Sequence, residues 1–118
     1  MSNNSIGSVR MRWENLRTIA FGSITSSYVA LGSATLNPAR QFKWLNGTNS
    51  DIVLSWDGVN DMDVQPANTN YVSDNDSNKT GPSGSNELVA NSTLYIKYRG
   101  SAPTSGNFDF VVIYGSTN

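Results

Sequence analysis

Apolar and polar residues alternate with a period of two along several short stretches of this chain, the pattern of a β-strand that turns one face inward. The clearest stretch is Asn107 to Tyr114, where Phe108, Phe110, Val112 and Tyr114 share one face and Val111 and Ile113 make the other partly apolar. Two partly apolar faces predict a central strand. Leu94 to Arg99 repeats the pattern, with Leu94, Ile96 and Tyr98 inward and Lys97 and Arg99 outward. Between them, Gly100 to Gly106 is rich in Gly, Ser and Pro, which favour turns and predict a terminal antiparallel hairpin. A second hairpin is predicted for 40–45 and 51–56, because the intervening Asn46-Gly47 step is a strong tight-turn signal. Phe42 and Trp44 would then face Ile52, Leu54 and Trp56.

The remaining patterning is weaker. Asp57-Gly58 ends a strand in a tight turn, and 62–66, 69–72, 18–21 and 28–31 read as short strands. Ser73 to Asn86 has no large apolar residue and reads as a long surface loop. No window holds a 3.6-residue apolar period long enough for a helix. The sum predicts an all-β chain: a single antiparallel β-sandwich, jelly-roll or immunoglobulin-like, of about seven short strands. Residues 1–17 lack clear alternation and read as an N-terminal arm, leaving 18–118 as the sandwich domain. At 118 residues the chain is long enough for one core without a metal or disulfide staple.

Composition narrows the chemistry. Charged residues make up only 14% of the chain, whereas Ser, Thr, Asn and Gly occupy 51 positions, so its polar surface is built mainly from neutral hydrogen-bonding groups. The chain has neither Cys nor His. It therefore lacks a thiol nucleophile, an imidazole base and the usual zinc ligands. A formal net charge of −1 argues against general nucleic-acid binding. The first residues carry no apolar signal run, and no stretch approaches the ~20 apolar residues of a membrane span. A soluble protein made in the cytoplasm, without cofactor, is expected.

The placement of charge is more informative than its sum. Residues 1–43 hold Arg10, Arg12, Arg17, Arg40 and Lys43 against Glu14, whereas 51–78 hold six Asp and no Lys or Arg. Complementary fields of this kind suit docking between copies, and they equally suit plain solubility. Asp57, Asp61 and Asp63 form the only cluster that invites a calcium reading, yet they lack the twelve-residue calcium loop and its closing Glu. A turn in which Asp and Asn bond their own backbone is the simpler account, with Asp57, Asp61 and Asp63 serving as an acidic interface patch. Trp44 and Trp56 alternate in phase with core positions and are assigned to the core. Trp13, between Arg10, Arg12 and Glu14, is a candidate interface anchor, because buried aromatics and Arg dominate interface energy.

The stretches Phe21 to Gly32, Leu54-Ser55-Trp56-Asp57-Gly58 and Gly100 to Gly106 before Phe108 to Tyr114 resemble those of small β-sandwich structural proteins of tailed-bacteriophage virions. The likeness covers roughly residues 18–115 and lies in turns and strand ends rather than in catalytic signatures. It implies a non-enzymatic virion component, made in the host cytoplasm and present in many copies: a capsid decoration (cement) protein, or a head-to-tail neck or tail subunit. Its partners would be other virion proteins and copies of itself. Arg10, Arg12 and Trp13 would act as an assembly element of the arm. A carbohydrate-binding module for host attachment is the alternative, and exposed coplanar aromatic rings would favour it.

Overall fold

The structure is a computed structural model that describes residues 10–74 and 88–116. Among the described residues nine strands form in chain order: β1 (Arg10–Trp13), β2 (Arg17–Ala20), β3 (Val29–Ala30), β4 (Ala39–Asn46), β5 (Asp51–Ser55), β6 (Asp63–Gln65), β7 (Thr69–Asp74), β8 (Tyr95–Arg99) and β9 (Asn107–Ser116). They make two antiparallel sheets. In sheet I, β9 lies between β4 and an edge formed jointly by β1 and β2, and β7 closes the far side beyond β4. Sheet II runs β3-β8-β5-β6. With β1 and β2 counted as one interrupted edge strand, the chain changes sheet at every connection except β5 to β6. This order is that of a jelly roll.

The inward faces are those that the alternation predicts. Phe108, Phe110 and Val112 of β9 are fully buried, as are Ile52 of β5, Ile96 of β8 and Leu94 just before it. Trp44 lies in the same cluster, and its indole Nε1–H donates to Gln65 Oε1 at 2.8 Å. Trp56 is only half-buried. Its ring stands edge-on to Phe42 and Phe110 with centroids 6.1 and 5.9 Å away. Tyr114 is likewise only partly covered.

Neither expected hairpin forms. β4 and β5 lie in opposite sheets, and so do β8 and β9: β4 pairs with β9 and β7, while β8 pairs with β5 and β3. Phe42 and Trp44 do meet Trp56, but across the core rather than along a shared ladder. The loops read as hairpin turns are two crossovers that brace each other at one end of the sandwich. Asn49 Nδ2 donates to Thr104 Oγ1 (2.7 Å), Thr104 N–H donates to Asn49 Oδ1 (2.9 Å), and Ser50 Oγ donates to the Ser101 carbonyl. Asn46 ends β4 and turns its amide inward instead of opening a hairpin turn. Its Nδ2 donates to the carbonyls of Ser50 and Gln65, and its Oδ1 accepts from Thr48 N–H and Oγ1.

The shorter strands fall where the sequence places them, at β2, β3, β6 and β7, with β7 running on to Asp74. The rest of the surface loop expected over 73–86 lies outside the described residues. The segment read as an arm is placed differently from the expected boundary after residue 17. From Arg10 onward it is hydrogen-bonded to β9, with Arg10 to Trp13 opposite Ser116 to Ile113 and Arg17 to Ala20 opposite Phe110 to Asn107. Residues 1–9 lie outside the described range.

The braced crossovers make a sharp prediction about two glycines. Gly47 N–H donates to the Asn107 carbonyl, and a Cβ on Gly106 (φ +90°) would stand 1.9 Å from the Gly47 carbonyl oxygen. Gly100 has a similar φ of +84° but open space around it. Gly100→Ala should therefore cost only the ~1–2 kcal/mol of a left-handed backbone. Gly106→Ala adds a backbone clash and should cost at least about 3 kcal/mol. Urea titrations of both variants check this; equal losses would mean the crossovers are not in contact.

Candidate docking surfaces

The edge of sheet I carries the candidate anchors, and a bulge organises it. Trp13 stands opposite Ile113 and Arg17 opposite Phe110, so Glu14, Asn15 and Leu16 span a gap that holds two residues of β9. Glu14 N–H still donates to the Val112 carbonyl at 3.0 Å. One extra residue inverts the facing of the strand. Before the bulge, Trp13 points outward and is 62% exposed; after it, Arg17 points inward and is only 7% exposed. Arg10 and Arg12 alternate with Trp13, so strand geometry puts them on the other face of β1 and does not gather the three into one cluster.

Arg17 is held by a clamp. Its guanidinium donates through Nη2 to Glu14 Oε1 (2.9 Å) and the Ala34 carbonyl (3.2 Å), and through Nε to the Ser33 carbonyl (2.8 Å). Glu14 Oε2 accepts from Leu36 N–H, Asn37 N–H and Asn37 Nδ2, all within 3.0 Å. The Glu14 side chain is 4% exposed. Burial opposes its ionisation, but the bonds from Arg17, Asn37 and Leu36 outweigh that and hold its carboxyl below the ordinary range. A recess of about 310 Å³ lies over this clamp, lined by Glu14 to Thr18, Gly32, Ser33 and Leu36. Both carboxylate oxygens of Glu14 are bonded within the fold, and exposed Leu16 and Leu36 stand on the lining. Sequence reasoning treated Glu14 only as a charge beside Trp13. Its spacing of three from Arg17 was the available signal, but the bulge hid it.

Sheet I presents an outer face that mixes apolar and polar side chains. In-register neighbours project from the same side of a sheet. Trp13, Ile113 and Gln41 form one row, Val111, Lys43 and Val72 the next, and Thr18, Asp109, Leu45 and Asn70 a third. Met11 shares the side of Trp13. Val72 is 61% exposed and Met11 is also exposed, whereas Ile113 is buried. Sheet II differs, because its outward charges are paired. Lys97 Nζ lies 3.2 Å from Asp61 Oδ1 and 4.6 Å from the Tyr28 ring centre, and Arg99 approaches Asp51 at 4.0 Å.

The acidic patch separates into local roles. Asp57 Oδ1 accepts from Ser55 Oγ and from the N–H groups of Val59 and Asn60, and its Oδ2 accepts from Asn60 Nδ2. The bond from the Asn60 backbone, followed by those from Ser55 and Val59, holds its carboxyl far below the ordinary range. Asp61 accepts the Tyr28 hydroxyl at 2.5 Å as well as Lys97, and both lower its pKa. Burial and the adjacent Asp61 push the Tyr28 hydroxyl up. Asp63 Oδ1 accepts from Val64 N–H. Among the described residues no three acidic, His or Cys side chains are grouped to hold a metal ion.

Among the described residues the aromatic rings do not offer a coplanar exposed pair. Trp44 is buried beneath Tyr71, with ring centres 4.7 Å apart, so only the tyrosine of that stack is accessible. Comparison with protein-family models, with curated proteins and with solved structures finds no match to the chain.

The clamp predicts an acid limb in stability. The folded-state pKa of Glu14 lies below its unfolded value, so the unfolded chain binds more protons as pH falls through the range between them. The clamp's contribution is complete above the unfolded value of about 4.3 and is lost as pH falls through the folded one. Glu14→Ala, which leaves Arg17 buried without its partner, should cost about 3–5 kcal/mol at pH 7. Its stability should also fall less than that of the unsubstituted protein between pH 5 and pH 3. Urea unfolding across that range tests both, and a neutral substitution would remove the clamp from the account of the fold.

Proposed function

We propose that the chain is a non-catalytic structural subunit of a bacteriophage virion, acting through protein contacts, with capsid decoration as the leading role and a neck or tail position as the second. The observation that supports a docking role is the contrast between the two outer faces. Sheet II neutralises its own charges, whereas sheet I leaves Trp13, Val72 and Met11 exposed around a rigid two-sheet body. Met11 and Trp13 adjoin on one edge strand and Val72 stands on the opposite one, so exposed apolar side chains flank the face, an arrangement that suits contact with a partner. The virion setting itself rests on the resemblance of residues 18–115.

In this reading the sandwich supplies a preformed surface and little ordering cost, and a few side chains supply most of the binding energy. Trp13 is the principal anchor. Arg10 and Arg12, on the opposite side of the same edge strand, add a positive field that steers neighbouring proteins, whereas Asp57, Asp61 and Asp63 are bonded within the chain and contribute less. Repetition of one modest contact by the symmetry of a particle then multiplies its effect.

Particles assembled without this chain provide the test. The purified protein should co-sediment with them, and Trp13→Ala combined with Val72→Asp should weaken that binding by at least about 30-fold, the ~2 kcal/mol expected of an anchor residue. Both side chains are exposed, so the melting temperature should stay nearly constant. Undiminished binding by the double variant, or no binding by the parent protein, would reject the proposal.

A further inference from the structure

We infer that the outer face of sheet I binds the same face of a second copy about a two-fold axis, with Lys43 of each copy opposite Asp109 of its mate. The inference rests on the docking role proposed above and names the occupant of that surface.

Lys43 is the starting point. It stands on β4 between Val111 of β9 and Val72 of β7, half-buried, and has no acidic partner among the described residues. A purely apolar partner covering this face would strip water from an unpaired ammonium, which is costly. The occupant must therefore bring an anion to Lys43 where it stands between Val111 and Val72. Among the side chains described on this face, Asp109 is the acidic candidate. Asp109 lies on the adjacent strand one row away, opposite Leu45, and its Oδ1 accepts Thr18 Oγ1 at 2.5 Å while no bond to Oδ2 is present among the described residues.

A foreign partner would have to satisfy two requirements, an anion for Lys43 and a cation for Asp109. A second copy meets both at once. Diagonal neighbours on adjacent strands lie about 7–8 Å apart. A two-fold axis in the plane of the contact, midway between Lys43 and Asp109, exchanges their positions and forms two equivalent ion pairs. The other diagonal of the same four residues, Val111 and Leu45, then lies close to the axis, and each meets its own counterpart. This is the self-complementarity that an isologous contact demands.

Size sets the expected strength. Four strands about 4.8 Å apart, followed for about 20 Å, outline roughly 400 Å². A standard interface buries about 800 Å² on each partner, so the pairing should be weak and depend on concentration.

Sedimentation equilibrium from about 1 μM to about 1 mM covers the range expected of such a contact. The unsubstituted protein should pass from monomer to dimer. Lys43→Asp and Asp109→Lys should each remain monomeric, because each sets like charges against like. An equimolar mixture of the two should dimerise, because both ion pairs are restored between unlike copies. A parent protein monomeric throughout, or folded variants that do not complement on mixing, would overturn the inference. If a reversed chain does not fold, Lys43→Gln and Asp109→Asn replace it, and dimerisation undiminished by both would overturn it equally. A chain that stays monomeric yet binds particles through Trp13 and Val72 defeats this inference alone. Dimerisation without particle binding defeats the proposed function alone.

Discussion

β9 is the strand on which the structure depends. It pairs with β1 and β2 on one side and with β4 on the other, and it carries Phe108, Phe110 and Val112 into the core with no exposure. A sheet with three such residues on one face must have that face covered, and with no α-helix among the described residues only a second sheet can cover it. The crossovers follow from this requirement. Connections that change sheet alternately place strands on both sides of the core, and those after β4 and before β9 are held together by Asn49, Thr104 and the Gly47–Gly106 contact.

The bulge at Glu14–Leu16 performs a second task at the edge of the same strand. By adding one residue it lets a single edge present Trp13 to solvent and Arg17 to the interior. The inward arginine requires an anion, and Glu14 within the bulge supplies it while also accepting from Leu36 and Asn37. The edge is thus tied to the loop before β4, and an exposed aromatic is fixed on a braced segment. Such bracing lowers the ordering cost of any contact that Trp13 makes.

The two outer faces show how charge placement divides the surface. On sheet II the carboxylates are spent locally, Asp61 on Tyr28 and Lys97, and Asp57 on its own turn. On sheet I, Lys43 and Asp109 stand among Val111, Leu45 and Val72 without pairing to each other. Charges satisfied within the chain contribute little to recognition, whereas charges left in an apolar surround discriminate among partners.

The sequence by itself determined which side chains turn inward, because alternation is a property of one strand and needs no partner. Phe108, Phe110, Val112, Leu94, Ile96, Ile52, Leu54 and Trp44 are buried as their spacing requires. The local bonding of Asp57 was equally legible, since an Asp-Gly turn engages backbone only a few residues away. Strand partners were decided by the tertiary structure alone. A turn-rich loop permits a hairpin and a crossover alike, and the choice depends on which sheet covers Phe42, Trp44 and Phe110, a matter of packing between segments far apart in sequence. The edge strand at 10–17 was hidden for a related reason: its bulge breaks the period on which strand recognition relies, and Glu14 and Arg17 become a buried pair only once β9 has set their register.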